Sequence, residues 1–324
     1  MMSRRVTVLA SLVTLFLLIT HYYYFLYQAK PTTGAYVADK VKSFDMEKEM
    51  KMQAEFEAME RMKHEMNTGS QAHPKTLKEA STPLLSMSTF DQTSQEGEIQ
   101  LTRGKIPIDD FTSIPYVHSG PTYSSSGATR PKELLLLHGM KFTKETWVKH
   151  EIISTMSRFE PSLSITAVDL AATADGTALV DLFNGLVKAN LLSGQPVFIL
   201  SPSASGKSVV DLLEMSMLAT AEEAENEPVV PQILRGWIPV ACGKVQSTSN
   251  DVLDQINKFR IPILALYGDL DTSGRVTSQK LKEIGMSNVE VIEMQGGHPV
   301  YLDDTAKFIN FVILFINQIM EKRK

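Results

Sequence analysis

A serine lies within a run of small residues that follows an apolar stretch of the sequence. The segment reads ILSPSASG at 199–206, and the residues after it favour a helix. A nucleophilic serine on a tight strand-to-helix turn needs small residues two positions before and after it, because larger side chains would collide there. Ser201 and Ser205 meet this need around Ser203. Such a serine is also a common helix N-cap, but the pattern predicts Ser203 as a nucleophile.

An acid and a base follow the serine in the chain order Ser, Asp, His, which is one of the orders found among serine nucleophiles. YGDLD at 267–271 supplies Asp269 and Asp271, and GGHP at 296–299 supplies His298. An imidazole with a pKa of about 6.5 can take the serine proton, and a carboxylate can fix its tautomer. We predict Asp271 as the acid because Asp269 is placed to hydrogen-bond its own turn. A lone loop histidine would be structural, but the order Ser, Asp, His predicts a catalytic triad.

A second turn predicts donors for a developing negative charge. LLLLHGM at 134–140 is an apolar run that ends in His-Gly. Backbone N–H groups after such a turn and after the nucleophile can bind an oxyanion. We therefore predict the amides of Met140 and Ala204 as the oxyanion hole. The His138 ring is equally well explained as a structural part of the turn, since this role uses the backbone.

Six apolar runs, separated by helical patterns, must position these residues. Continuous apolar strands that alternate with helices indicate an α/β fold, with a mostly parallel sheet covered by helices on both faces. The segment 99–117, with its Gly and Pro, predicts an antiparallel hairpin in front of it. The six runs are 134–139, 164–170, 196–201, 237–241, 261–268 and 289–294.

The composition excludes several classes of function. A net charge of −5 and a pI near 5.9 offer no basic face to nucleic acid. The single cysteine, Cys242, allows neither an intrachain disulfide nor a Cys/His cluster for structural zinc, and its place after an apolar run predicts a small buried residue. No metal or cofactor site is predicted.

The first 29 residues predict a membrane anchor. Residues 6–26 carry no formal charge and would form a helix about 31 Å long, enough to cross a bilayer core. A cleaved signal peptide is the alternative, but the bulky Tyr27 occupies the site where cleavage needs a small residue. We expect a single-pass membrane protein with a cytoplasmic N-terminus; the alternative is a catalytic domain that faces the cytoplasm.

Residues 30–97 predict a stalk between the anchor and the catalytic domain. Within it, 44–66 lacks Gly and Pro and repeats Met and Phe at helical spacing, which indicates an amphipathic helix. The rest, 67–97, is rich in Ser, Thr, Gln and Pro and predicts a flexible linker. The hydrolytic domain is expected to span 98–324.

Five motifs carry a resemblance to a known family: HGMKFTKETW, ILSPSASG, LRGWIPVA, YGDLD and GGHPVYLD. Over about 98–320 the chain resembles the α/β-hydrolase-domain-containing protein 14 group. The resemblance implies the α/β-hydrolase fold, the triad Ser203, Asp271 and His298, and hydrolysis of small acyl substrates. One branch of the group carries an N-terminal membrane anchor. Two departures, DLAATADGT at 169–177 and Lys207, bear on substrate preference rather than on the triad.

Two other functions compete with a hydrolase. SPSASGKS at 201–208 approaches the phosphate-binding pattern GxxxxGK[ST], but its first glycine is replaced by Ser201, and Pro202 lacks an N–H to bind phosphate. A nucleotide binder would also make no use of the GGHP motif. The other alternative is a non-catalytic binding protein that keeps the α/β-hydrolase fold.

We expect residues 6–26 to be retained as an anchor, because an apolar helix of this length satisfies its backbone groups internally within the bilayer. The full chain should resist extraction from membranes by alkaline carbonate. A chain shortened to begin at Glu98 should need no detergent and keep full activity. Release by carbonate, or a mature N-terminus at Lys30, would contradict the anchor.

Overall fold

One sheet organises the part of the chain that the structure describes. The computed structural model describes residues 99–108, 112–120, 131–218 and 229–322. The strands within them are β1 Thr102–Pro107, β2 Ser113–Ser119, β3 Lys132–Leu136, β4 Leu163–Val168, β5 Val197–Pro202, β6 Leu234–Val240, β7 Ile263–Gly268 and β8 Val289–Met294. They form an eight-stranded sheet in the order β1-β2-β4-β3-β5-β6-β7-β8. β2 is antiparallel to both of its neighbours, and all other neighbouring strands are parallel.

Helices cover both faces of this sheet, as the apolar runs predicted. In the described residues they are α1 Glu145–Lys149, α2 Ile152–Phe159, α3 Gly176–Lys188, α4 Gly206–Leu218, α5 Val229–Ile233, α6 Lys244–Ser247, α7 Asn250–Leu253, α8 Gln255–Lys258, α9 Thr272–Gly285, α10 Val300–Asp303 and α11 Thr305–Glu321. α3, α4 and α9 contribute to the hydrophobic core on one face. α1, α2 and α11 contribute to the core on the other.

The apolar strands contribute side chains to both cores, because successive side chains of a strand point to opposite faces. In β5, Val197 and Ile199 enter the core beneath α4, whereas Phe198 and Leu200 enter the core beneath α11. All four side chains are fully buried. This explains why the central strands read as continuous apolar runs rather than as alternating ones.

The predicted strands and the leading hairpin are confirmed. β1 and β2 form the antiparallel pair expected within 99–117. β3 ends at Leu136, earlier than the run 134–139, and His138 and Gly139 lie in the loop beyond it. The loops that carry the predicted site residues therefore begin at the carboxyl ends of parallel strands, where open α/β sheets bind their ligands.

The predicted anchor at 6–26 and stalk at 30–97 lie outside the described residues. Within the described residues, no helix combines the length and hydropathy that crossing a membrane requires. The anchor and its orientation therefore stay predictions.

Cys242 lies two residues beyond the end of β6 and is buried, as predicted. Burial raises the pKa of its thiol to about 11. It packs against Gly206, the first residue of α4, where a Cβ would overlap the Cys242 sulfur and lie 3.0 Å from Cys242 Cβ. The absence of a side chain at 206 thus lets α4 approach the end of β6.

Gly206→Ala should lower the free energy of unfolding by about 1–3 kcal/mol, because the added methyl group overpacks this contact. The loss should shrink in a Cys242→Ala background, which removes the overlapping sulfur. Denaturant unfolding of the two single variants and the double variant measures the coupling. Gly243→Ala is the matched control, since a Cβ there meets nothing within 4 Å. Equal losses from Gly206→Ala in both backgrounds would contradict the contact.

Candidate active site

Ser203 lies at the turn between β5 and α4, in a short 3₁₀ turn at Ser203–Ser205. Its φ of 53° is in the left-handed region, which costs a residue with a side chain roughly 1–2 kcal/mol. This conformation reverses the chain sharply. It places the serine at the apex of a strand-to-helix turn, with the N-terminal end of α4 close behind it.

The neighbouring serines have other hydrogen-bonding roles. The Ser201 hydroxyl accepts a hydrogen bond from the Trp237 indole N–H at 2.7 Å in the buried interior. The Ser205 hydroxyl donates to the carbonyl of Pro202 at 2.9 Å. Among the serines at 201, 203 and 205, Ser203 is the one that contacts His298. The two others stabilise the turn on either side of it.

His298 lies between Ser203 and Asp271. Its Nε2 is 2.9 Å from Ser203 Oγ, and its Nδ1 is 2.7 Å from Asp271 Oδ2. Because an ionised carboxylate only accepts hydrogen bonds, this pairing puts the proton of a neutral ring on Nδ1 and leaves Nε2 to accept from the serine. The side chain of Asp271 is 4% exposed and that of His298 is 39% exposed, so the carboxylate is buried and the imidazole is partly open to solvent.

Asp271 is fixed by the helix that it begins. It is the N-cap of α9, and its Oδ1 accepts a hydrogen bond from Gly274 N–H at 2.9 Å. Its other oxygen, Oδ2, is left to hold the imidazole. A capping aspartate is normally explained by helix stability alone. Here the same cap orients the carboxylate toward His298.

Asp269 has a different role from the one expected of it. The sequence predicted that it would hydrogen-bond its own turn, but its Oδ1 accepts from Gly296 N–H at 2.9 Å. It thus contacts the loop that carries His298, and Asp271 is the one that contacts the imidazole. Which of the two acids contacts the ring depends on the loop conformation after β7.

The turn at His138 runs alongside the serine. A Cβ on Gly139 would lie 3.8 Å from Ser203 Cβ and 3.7 Å from the Pro202 carbonyl oxygen, which brings the backbone that leads to Met140 next to the strand-to-helix turn. Ala204 follows Ser203 directly in the 3₁₀ turn. The His138 ring is buried, and its Nδ1 is 2.9 Å from the Gly139 carbonyl oxygen. This contact fits a structural role for the ring.

An ion pair that the sequence did not reveal anchors the far end of this turn. Asp169, just after β4, accepts from the Lys144 backbone N–H at 2.6 Å and from its Nζ at 2.7 Å. Burial lowers the pKa of Lys144, but the hydrogen bonds and charges of Asp169 and Glu145 together outweigh it and hold the pKa above its ordinary value. The Trp147 indole adds a bond to the Leu137 carbonyl at 3.2 Å. The loop from β3 to α1 is thus held at both ends.

The two departures from the family pattern have structural explanations. Asp175 within 169–177 is the N-cap of α3, and its Oδ1 accepts from Ala178 N–H at 2.9 Å. Lys207 pairs with Asp211 one turn later on α4. A lysine engaged in this way does not favour the nucleotide-binding alternative. In the described part of the chain, no group of three or more His, Cys, Asp or Glu side chains could hold a metal ion.

The chain is similar in sequence to the ABHD14A and ABHD14B proteins. No protein-family model matches the chain. It is 32% identical to ABHD14B of Homo sapiens over 197 residues, which cover 56% of this chain and 82% of that protein. It is 29% identical to ABHD14B of Rattus norvegicus over 57% of this chain and 83% of the relative. ABHD14A of Danio rerio is 26% identical over 68% of this chain and 77% of its own length.

Solved structures share the fold. A protein described as a predicted CIB-like hydrolase from Thermoplasma acidophilum superposes with a TM-score of 0.51 at 20% identity, covering 68% of this chain and 99% of that one. The fluorophosphonate-binding serine hydrolase FphF of Staphylococcus aureus superposes with a TM-score of 0.50 at 11% identity, over 68% and 99% of the two chains. At these identities the likeness shows the α/β-hydrolase fold alone.

The left-handed φ of Ser203 makes a prediction about stability. The free energy of unfolding of Ser203→Gly should exceed that of Ser203→Ala by about 0.5–1 kcal/mol. Glycine adopts this φ without strain, whereas alanine keeps the strain. Ala204→Gly is the matched control on the next residue, which has no positive φ. Glycine at position 204 should lower the free energy of unfolding by about 0.5–1 kcal/mol. A Ser203→Gly variant less stable than Ser203→Ala would contradict the strained turn.

Proposed function

The chain belongs to the ABHD14 family of α/β-hydrolases, and we propose that it is a serine hydrolase that cleaves small acyl esters or related acyl groups. The observation that carries the proposal is the line of contacts from Ser203 Oγ through the His298 ring to Asp271 Oδ2, at 2.9 and 2.7 Å. These residues come from three loops, after β5, β7 and β8. Three groups with this geometry supply a nucleophile, a base and the acid that orients the base.

In the first step His298 Nε2 takes the proton of the Ser203 hydroxyl as the oxygen attacks the acyl carbonyl. The Nδ1–H stays bonded to Asp271, whose buried charge stabilises the imidazolium that forms. The carbonyl π electrons move to its oxygen, which becomes the oxyanion. We assign the backbone N–H groups of Met140 and Ala204 to bind this oxygen, since Ala204 follows Ser203 directly and Met140 follows Gly139, which lies beside Ser203.

In the second step the tetrahedral intermediate collapses and the leaving group takes the proton from His298. The acyl group remains on Ser203 Oγ as an ester. A water molecule then gives a proton to His298 as its oxygen attacks the ester carbonyl. The second tetrahedral intermediate collapses, His298 returns the proton to Ser203 Oγ, and the carboxylic acid is released. The partly exposed imidazole gives water a route to the acyl-enzyme.

The relatives suggest which leaving groups to test. The names of human and rat ABHD14B describe those proteins as candidate protein-lysine deacylases. An acyl-lysine is an amide, whose amine must be protonated before it can leave, and His298 can supply that proton. Activated esters and acyl-lysine peptides are therefore the two substrate classes that we propose for this chain.

We also retain the anchor as part of the proposal. Residues 6–26 would hold the protein at a membrane, and the stalk at 30–97 would carry the hydrolase domain at 98–324 away from the surface. The apolar, uncharged composition of 6–26 supports this arrangement. The triad lies entirely in 203–298, so the chemistry does not depend on the anchor.

A fluorophosphonate probe should label the full chain at Ser203, because a serine beside a base and an oxyanion hole reacts readily with such reagents. Ser203→Ala should abolish labelling. Asp271→Asn should slow it by about 10³–10⁴-fold, because the ring loses the partner that fixes its tautomer. Gel fluorescence measures the labelling rate, and mass spectrometry of the labelled peptide identifies the labelled residue. Ester and acyl-lysine hydrolysis assays then measure turnover.

Ser247→Ala is the matched control, since it removes a hydroxyl from an exposed serine of α6. Its labelling rate should equal that of the unsubstituted chain. Labelling that persists in Ser203→Ala would contradict the proposed nucleophile. A folded full chain that takes up no probe would instead favour the non-catalytic binding protein.

A further inference from the structure

Two carboxylates hold the loop that carries His298, and neither is the acid that contacts the ring. The Gly296 N–H donates to Asp269 Oδ1 at 2.9 Å, and the Gly297 N–H donates to Asp303 Oδ2 at 2.7 Å. These are the two backbone groups immediately before His298. Asp269 follows β7, whereas Asp303 ends α10, so the loop is held from both sides.

Backbone hydrogen bonds join the same two loops. Asp269 N–H donates to the Met294 carbonyl at 2.7 Å, and Leu270 N–H donates to the Gly296 carbonyl at 3.0 Å. The loop with the acid and the loop with the base thus form one bonded unit. Any movement of Gly296 and Gly297 would change the distance between His298 and Asp271.

Glycine is required at 296 by the close approach of Asp303, and at 268 by the close approach of two backbone carbonyls. Gly296 has a φ of +138°, and a Cβ on it would lie 2.7 Å from Asp303 Cβ and 2.9 Å from its Cγ. A Cβ on Gly268 would overlap the carbonyl oxygens of Gly296 and Gly297. Gly296 and Gly297 have no side chains to pack. Hydrogen bonds to their backbone N–H groups therefore fix the position of the loop.

We propose that Asp269 and Asp303 are positioning residues for His298, which act through the backbone amides before it rather than on the substrate. The proposal rests on the proposed function, because it assigns these residues to the base of that reaction. Charge-assisted hydrogen bonds to backbone N–H groups are among the stronger ones available to a loop. Without them the imidazole would occupy the catalytic position for a smaller fraction of the time.

The test compares Asp269→Ala and Asp303→Ala with the asparagine variants at both positions. Each alanine variant should lower the maximal rate of fluorophosphonate labelling about tenfold, equivalent to about 1.4 kcal/mol, with the half-saturating probe concentration unchanged. Each asparagine variant should recover a rate within about threefold of the full chain, because an amide oxygen can accept the same N–H bond without a charge. Glu290→Ala, which removes an exposed carboxylate from β8, is the matched control and should label normally.

A second readout separates positioning from general stability. The proton shared by His298 Nδ1 and Asp271 should give a downfield NMR resonance in the full chain that broadens in the alanine variants and returns in the asparagine variants. Thermal unfolding should show all four folded, because Asp269 and Asp303 are exposed. If one alanine variant does not fold, the other tests the same proposal.

Normal labelling and an unchanged resonance in the folded alanine variants would overturn the positioning proposal. Asparagine variants as slow as the alanine variants would also overturn it, because an accepted N–H bond would then fail to restore the position of His298. A full chain that labels no faster than Ser203→Ala contradicts the proposed function instead. In that case the resonance still tests whether the two carboxylates position His298.

Discussion

The left-handed backbone of Ser203 is the constraint on which the rest of the site depends. A φ of 53° is unfavourable for serine and persists only where the surroundings fix it. Here β5 is buried on both faces and α4 is packed closely against the end of β6 through Gly206 and Cys242. Both elements that flank the turn are therefore rigid. The energy that maintains the turn comes from the core beneath it, together with the hydrogen bonds of Ser201 and Ser205.

Once the serine is fixed, four aspartates determine where its partners lie. Asp271 caps α9 and orients the imidazole, while Asp169 holds the Lys144 end of the loop from β3 to α1. Asp269 and Asp303 contact the backbone before His298. Each carboxylate accepts at least one backbone N–H, so loops without regular structure have their donors satisfied. These carboxylates around the site therefore act mainly by fixing the backbone conformation of its loops.

The sequence predicted the sheet, and it singled out Ser203, Asp271 and His298, which lie in hydrogen-bond contact, because both leave local signals. Buried parallel strands read as apolar runs, and Ser203, Asp271 and His298 each follow such a run in the order of the fold. It did not predict the partners of Lys144 and Asp303, since these contacts depend on the conformations of loops that lie between the strands. For Asp303 the only available signal was its place at the end of GGHPVYLD. The anchor and stalk lie outside the described residues and stay predictions.

The buried thiol behind the serine turn gives this protein a built-in chemical reporter. Alkylating reagents react with thiolates, and burial both shields Cys242 and disfavours its ionised form. The thiol can therefore react only when α4 moves away from the end of β6. Because the sequence contains no other cysteine, the rate of thiol modification in the native protein measures how often that local opening occurs. The same movement would release the strained backbone of Ser203.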